Sequence, residues 1–457
     1  MHSTPQAGAG SRSYFGETRT TVRILVVGNG GREHALVWKL AQSPRADRIY
    51  CAPGNAGIAE LAECINLKAT DLDGLANFAA TQKIDLTVVG PEAPLIAGIV
   101  DRFEARGLRI FGPSTDPARI EGSKIFAKEL MARYSIPTAA YWRCDNPEEG
   151  HEHVHDFFTH HPEPETRLVI KADGAAAGKG VIIAESEEEA HQVVEDMMTR
   201  RIFGAAGQRI VLEEYLQGEE ASIMAFTDGE TVVPMPPSQD HKRVNDNDEG
   251  PNTGGMGAYT PVPVIPPTTL DTVLQTVLRP AVQAIRDLGI PYKGVLYAGI
   301  MVTAHGVRTL EFNCRFGDPE TQAVLPLLES DLIDIMDAVV NSSLEGIDVR
   351  WRSAASVTVV AASGGYPGSY ETGKVITGLD VACRDAHDDC IVFHAGTREH
   401  DGKIVTAGGR VLSVTALGSD LPQAVDRAYR ALGHIHFDGM HYRRDIGARA
   451  LRALGNC

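Results

Sequence analysis

VRILVVGNGGREHALVWKL, residues 22–40, is the stretch on which the fold turns. Val22–Gly28 is a short β-branched run that stops at a glycine, the mark of a buried strand. Glu33–Gln42 then places Ala35, Leu36, Trp38, Leu40 and Ala41 at a spacing compatible with a helix. Working outward, strand candidates recur at Arg48–Cys51, Asp85–Val89 and Arg109–Phe111, and a helix is expected over Leu72–Gln82. Strands alternating with helices predict an α/β unit, a parallel, doubly wound sheet ending near Glu121.

Between that first strand and helix lies Gly28-Asn29-Gly30-Gly31-Arg32-Glu33. Glycines let a backbone approach a ligand closely, and a helix N-terminus offers its N–H groups to an anion. A dinucleotide site is one reading. Against it, the third fingerprint glycine is missing, and Cys51-Ala52-Pro53-Gly54-Asn55-Ala56-Gly57 stands where an acidic residue should end the second strand. A phosphate-bearing small substrate fits better, with a plain tight turn as the simplest alternative.

The 457 residues suggest about three domains. With 43% hydrophobic and 23% charged residues the chain can bury a core, which excludes disorder throughout. A net charge of −17 argues against a general nucleic-acid binder but leaves room for a local basic pocket. No run approaches the ~18–20 apolar residues of a membrane span. The first twenty residues lack the apolar segment of a secretory signal, so residues 1–21 are expected to be a disordered leader and the protein cytoplasmic. Seven scattered cysteines without a CxxC pair suit a reducing compartment and argue against a disulfide framework or structural zinc.

A second unit begins at Gly122-Ser123-Lys124, with a helix through Arg133. Leu168–Lys171 reads as a strand entering DGAAAGKG at residues 173–180, and Val181–Ala184 as a strand leaving it, together a mobile hairpin. Lys171 and Lys179 flank its small-residue loop, which makes a cradle for polyphosphate; a flexible surface turn is the alternative. It is not a P-loop, because Gly180 stands where Ser or Thr is required. Another strand is expected at Ile210–Glu214.

Glu311 and Asn313 end the strand run Gly306–Phe312 and share a face. An oxygen-only pair with room for phosphate oxygens suits Mg²⁺ or Mn²⁺, although ordinary surface polarity gives the same pattern. Arg315, Asp318 and Glu320 add a cation and two anions able to position a zwitterion such as an amino acid. The polar, glycine-rich insert Pro234–Tyr259 carries Gln239-Asp240-His241-Lys242-Arg243 and Asn252–Gly257, and reads as a long loop without regular structure. Strands at Val357–Ala361, Ile391–His394 and Arg410–Ala416, with a helix over Leu421–Leu432, indicate a compact C-terminal domain.

Taken in order, GNGGREHA, APGNAG, GPEAPL, EGSK, IKADG with AAGKG, Glu213–Ser222, SQDHKR, GPNTGGMGAY, LEFNCRFGDPETQ and ASGGYPG resemble the phosphoribosylamine–glycine ligase (glycinamide ribonucleotide synthetase) family of the ATP-grasp superfamily. The resemblance runs from about Val22 to Ile446. It implies an α/β ATP-grasp fold: a substrate-binding domain over 22–122, an ATP-grasp domain over 123–350 with a mobile lid subdomain at about 140–211, and a small C-terminal α/β domain over 351–457. The implied reaction joins glycine to 5-phosphoribosylamine, with ATP giving ADP and phosphate, in de novo purine biosynthesis. A carboxylate is a poor electrophile, so ATP would first convert glycine to an acyl phosphate that the sugar amine attacks.

Position by position, the resemblance puts Lys124, Lys171 and Lys179 at the ATP phosphates around the Gly174–Gly180 loop. Glu213 and Glu214 would hold the adenine, Glu220 the ribose hydroxyls, and Glu311 with Asn313 the Mg²⁺ or Mn²⁺. Arg315, Asp240 and Lys242 fall at the glycine and acyl-phosphate end. Gly30, Gly31, Glu33, Pro91 and Glu92, joined by Asp318 and Glu320, would bind the substrates. The lid would close over ATP and exclude water. His151 and His155 would share a face of a lid helix; they read, like His434, His436 and His441, as solvated rather than metal-bound. The partners implied are glycine, 5-phosphoribosylamine and ATP for a monomer, with no nucleic acid and no membrane. A carboxylating ATP-grasp ligase would need a bicarbonate site, and a non-catalytic nucleotide-binding module would have lost Lys171, Glu311, Asn313 and Arg315.

Overall fold

The computed structural model describes residues 21–161, 166–174, 180–384 and 389–455; the expected leader and Lys179 lie outside the described residues. Strands β1 (Val22–Gly28), β2 (Ala46–Pro53), β3 (Glu63–Cys64), β4 (Leu86–Val89) and β5 (Ile110–Phe111) form one sheet in the order β3-β2-β1-β4-β5, parallel throughout. Leu25 and Val27 pack into one large hydrophobic cluster and Ile24 and Val26 into another. Burial of both faces is why β1 is a continuous apolar run rather than an alternating one. The helix Leu72–Gln82 has the expected bounds, because the Asp71 carboxylate accepts the Gly74 N–H at its start and Lys83 ends it in the left-handed region. β2 and β4 flank β1, so a crevice opens at the carboxyl ends of β1 and β4, where Gly28–Gly31 and Gly90–Glu92 stand.

Strands β6 (Tyr141–Cys144), β7 (Leu168–Ala172), β8 (Val181–Ala184) and β9 (Ile210–Glu214) make a separate antiparallel sheet, ordered β6-β9-β7-β8. Leu168, Ile170, Ile210 and Leu212 pack there with Val154 and Phe157 from the helix Pro147–His160 and Val193 and Val194 from the helix Glu187–Val194. This core is self-contained. His151 Nδ1 lies 2.8 Å from His191 Nδ1, and His155 Nδ1 lies 2.9 Å from Glu187 Oε1. His151 and His155 therefore tie these two helices together, and among the described residues no group of three or more His, Cys, Asp or Glu is arranged to hold a metal.

Beyond this sheet come β10 (Glu219–Thr227) and β11 (Val232–Pro234), and then four short strands inside the insert: β12 (Gln239–Asp240), β13 (Arg243–Asn245), β14 (Glu249–Asn252) and β15 (Gly257–Thr260). The insert is thus not an irregular loop. Its strands of two to four residues, rich in Gly and Asn, are too short to display a period of two. β16 (Gly294–Thr303) and β17 (Gly306–Asn313) complete a sheet ordered β11-β10-β16-β17. Near the end of the chain lie β18 (Ala355–Ala362), β19 (Cys390–His394), the hairpin β20 (Thr397–His400) and β21 (Lys403–Thr406), and β22 (Arg410–Gly418). The C-terminal sheet is ordered β12-β15-β18-β22-β19, so two strands of the insert extend it. Ala424, Ala428, Ala431 and Leu432 of the helix Leu421–Leu432 bury its apolar side against this sheet.

One cysteine expectation is corrected. Cys383 and Cys390 are joined by a disulfide, their Cα atoms 5.2 Å apart. No spacing motif signals the pairing. Cys51, Cys64, Cys144 and Cys314 are free thiols. No helix among the described residues is long and apolar enough to cross a membrane.

Candidate active site

Two sheets meet at the first cluster. β9 contributes Glu213, which is 2% exposed, and β7 contributes Lys171. Glu213 Oε1 lies 2.8 Å from Lys171 Nζ and its Oε2 lies 2.8 Å from Lys128 Nζ. Lys171 also donates to the Leu310 carbonyl (3.2 Å) on β17, bridging the β6-β9-β7-β8 sheet to the one that holds β17. Lys128 was not singled out in the sequence, although it stands one helical turn after Lys124 in Lys124–Arg133. It donates to Thr138 Oγ1 (2.7 Å), and burial brings its pKa down to about 8 against the pull of Glu213. Two ammonium groups on one carboxylate leave a net positive charge near the end of β7, where the small-residue loop begins in the sequence.

Asp173 ties that loop to the lysine helix. Its Oδ1 accepts from Ser123 Oγ and the Ile125 N–H, each at 2.8 Å, and its Oδ2 pairs with Arg209 at 2.6 Å. The Lys124 N–H in turn donates to the Asp173 carbonyl (3.1 Å). Gly174 passes so close to Ala206 that a Cβ would lie 2.9 Å from its Cα, and the Gly180 carbonyl accepts from Ala172 N–H. Glu214 Oε1 accepts the Ala140 N–H (3.0 Å) and so fastens the end of β9 to the chain leading into β6.

On the facing sheet, Ser222 pairs with Gly299 and Gly299 with Glu311, while Tyr297 pairs with Asn313. Glu220, Ser222, Tyr297, Glu311 and Asn313 consequently share one face. Lys242 Nζ, just past β12, lies 2.6 Å from Glu220 Oε2. Glu311 stays below the usual carboxylate range: burial pushes it up, but Lys242, Lys171, Lys124 and Arg315 together outweigh that. Asp240 goes the other way, up to about 7, because enclosure in the cleft and the charges of Glu320, Glu220 and Glu311 outweigh Lys242. Partial desolvation in the cleft lowers the Lys242 pKa, yet Glu220, Asp240 and Glu311 hold it well above its ordinary value. Ionised Glu311 beside the Asn313 amide, with surplus acidic charge around them, is a hard-oxygen donor set that fits a divalent cation. Glu320 is 3% exposed, and its Oε1 accepts from Tyr297 Oη (2.8 Å) and Ser222 Oγ (3.1 Å), so it braces this face from below.

Arg315 connects this cluster to the parallel-sheet domain. Its Nε lies 3.2 Å from Glu92 Oε2 and one terminal nitrogen 3.2 Å from Glu121 Oε1. Burial works against its charge, but the two glutamates raise its pKa further. Glu92, in the short helix after Pro91, is held low by Arg315 despite its burial.

At the glycine cluster, Glu33 folds back on its own turn. Its Oε2 accepts the Gly30 N–H (2.5 Å) and its Oε1 pairs with Arg32 Nε (2.5 Å). Arg32 also donates to the Phe316 carbonyl (3.1 Å). A Cβ at Gly90 would collide with Glu33 Oε1, which requires glycine there. Glu33 therefore shapes the turn, and the Gly30 N–H is already spent on it. A Cβ at Gly31 would lie 2.6 Å from Gln322 Nε2, and one at Gly30 would lie 3.3 Å from Asp318 Oδ2. Gln322 Nε2 donates to Asp318 Oδ1 (2.7 Å), while Gln322 Oε1 is buried without a hydrogen-bond partner. Asp318 Oδ2 pairs with Arg410 (2.9 Å), a residue of the C-terminal sheet that sequence reading passed over.

The domain models of phosphoribosylglycinamide synthetase match the chain in three parts: the N domain over residues 22–121, the ATP-grasp (A) domain over 122–321 and the C domain over 356–449. A phosphoribosylamine–glycine ligase of Caldanaerobacter subterraneus is 50% identical over 427 residues, 93% of this chain and 100% of that protein. The crystal structure of phosphoribosylamine–glycine ligase from Thermotoga maritima superposes with a TM-score of 0.81 at 34% identity, covering 93% of this chain and 100% of the other. The biotin carboxylase domain of a Hydrogenobacter thermophilus 2-oxoglutarate carboxylase shares the fold, at a TM-score of 0.70 and 15% identity over 93% of this chain and 92% of the other. The chain belongs to the phosphoribosylglycinamide synthetase family of ATP-grasp ligases.

Proposed function

We propose a division of labour among these residues for the reaction the chain catalyses as a member of that family, the ATP-dependent ligation of glycine to 5-phosphoribosylamine in purine biosynthesis. The observation that carries it is the spacing of charge along the cleft. Lys171, which pairs with Glu213, reaches the Leu310 carbonyl of β17, Glu311 and Asn313 follow on that strand, and Arg315, paired with Glu92, stands just past its end.

ATP lies with its adenine towards Glu213 and its phosphates along Lys171, Lys124 and the Gly174–Gly180 loop. Glu311 and Asn313 would hold Mg²⁺ or Mn²⁺, which when bound neutralises phosphate charge. Lys242 and Arg315 stabilise the charge that develops as the glycine carboxylate takes the terminal phosphoryl group and as phosphate later leaves. The sugar amine enters from the Gly30–Gly31 side, bordered by Pro91, Glu92 and Asp318. The residues over 140–211 form a lid that shields the acyl phosphate from water. Three domains, divided near residues 122 and 350, would form a monomer acting in the cytoplasm.

The test is ADP release with Mg²⁺, ATP and glycine, with and without freshly prepared 5-phosphoribosylamine. Release that needs both glycine and the sugar amine supports the reading. Release driven by bicarbonate instead would turn it towards a carboxylating ligase.

A further inference from the structure

Two motifs have so far done nothing in the reaction: Asn252-Thr253-Gly254-Gly255 in the insert and Ser363-Gly364-Gly365-Tyr366 after β18. They meet at Arg410, the first residue of β22. One terminal nitrogen of Arg410 donates to the Gly254 carbonyl (2.5 Å) and the Asp318 carbonyl (2.9 Å), with the Gly255 carbonyl at 3.4 Å. The other lies 2.9 Å from Asp318 Oδ2. Tyr366 Oη accepts the Gly254 N–H (3.0 Å), so Gly254 is gripped through both its N–H and its carbonyl.

We propose that Arg410 is a positioning residue for the sugar substrate, holding the Asp318 carboxylate against the Gly30–Gly31 turn from the C-terminal sheet. The inference rests on the reading that Asp318 borders the 5-phosphoribosylamine side. The carboxylate is fixed at both oxygens, Oδ1 by Gln322 and Oδ2 by Arg410. That leaves its remaining lone pairs aimed by protein rather than by chance, which suits recognition of hydroxyl or amine donors on a ribosyl group. Nearby, the partnerless Gln322 Oε1 offers a second acceptor of the same kind. The guanidinium serves two backbone carbonyls with one terminal nitrogen and the carboxylate with the other, whereas an ammonium group carries its three donors on a single nitrogen and does not cover that span. Burial would push Asp318 towards its neutral form, and Arg410, with Arg32, keeps it ionised.

The experiment compares the full-length chain with Arg410→Met, Arg410→Lys, Asp318→Asn and the double variant Asp318→Asn/Arg410→Met, measuring KM separately for ATP, glycine and 5-phosphoribosylamine. Arg410→Met raises the sugar-amine KM at least tenfold and leaves the ATP KM within twofold. Arg410→Lys falls between, and the double variant is no worse than Asp318→Asn, since Arg410 acts through Asp318. Additive losses, or equal changes in the ATP and sugar-amine constants, overturn the positioning role. If Asp318→Asn leaves the sugar-amine KM unchanged, the reading of that side of the site fails, and the proposal with it.

Discussion

Lys242 Nζ lies 2.6 Å from Glu220 Oε2, which joins the end of β12, in the C-terminal sheet, to the start of β10, in the sheet that carries Glu311. One ammonium group thereby faces three carboxylates, Glu220, Asp240 and Glu311. Because it crosses between two sheets, its place depends on how the C-terminal domain docks, and not on the ATP-grasp sheet alone.

Lys242→Met is expected to cut turnover about 100-fold or more, the usual cost of removing a charged group where charge develops. The pair is more than a third exposed on both sides (37% and 40%), so stability should change by less than about 1 kcal/mol. Single-turnover ADP formation alongside a thermal melt separates the two effects. Near-normal turnover would remove Lys242 from the machinery.

Glu311→Gln keeps the shape of the side chain and removes its charge. Turnover should be lost while the fold remains, and the concentration of Mg²⁺ or Mn²⁺ needed for residual activity should rise at least tenfold. Wild-type activity at low Mg²⁺ would sink the assignment of Glu311 and Asn313 as metal ligands.

That Glu311 and Asn313 share a face was legible because a strand puts alternate residues on one face, and the run up to Glu311 is plainly a strand. β1 and the helix Leu72–Gln82 were legible for equally local reasons: apolar residues on both faces in one, an aspartate cap in the other. What escaped is non-local. β12 and β15 are strands only because β18 lies beside them. Arg410 pairs with an aspartate 92 residues away, and Arg443 with one 195 residues away; no spacing rule reaches so far. Lys128 was the one omission with a local signal, since it follows Lys124 by four residues on a helix.

Arg443 is 1% exposed and holds the β13–β14 hairpin to the C-terminal segment. It binds both oxygens of Asp445 (2.8 and 2.7 Å), Asp248 Oδ1 (2.9 Å) and the Arg243 carbonyl (3.1 Å). Arg443→Met strips two carboxylates of their shared cation and should cost about 3 kcal/mol of stability. Turnover should fall as well, because Lys242 directly precedes the hairpin. Equilibrium urea unfolding measures the first effect, and a loss below about 1 kcal/mol would show that Arg449 and His441 hold the hairpin without it.

His34 makes the native state sensitive to acid. Its Nδ1 accepts the His394 N–H (2.7 Å), linking the first helix to β19, and both rings are buried. Burial, and for His34 the neighbouring His394 charge, lower their pKa values to about 3 and about 4. In the unfolded chain each titrates near 6.5, so between about pH 6.5 and 4 the unfolded state takes up protons that the native state refuses. Stability therefore falls as pH drops through that window, by about 1.4 kcal/mol per pH unit for each group, and is insensitive to these groups above it. His34→Asn keeps an acceptor for the His394 N–H but cannot be protonated. Urea unfolding from pH 7.5 to 5.0 should show a shallower acid slope for this variant than for the wild type, by about one proton. Equal slopes would mean that His34 is protonated in the native state, and that the contact with β19 tolerates its charge.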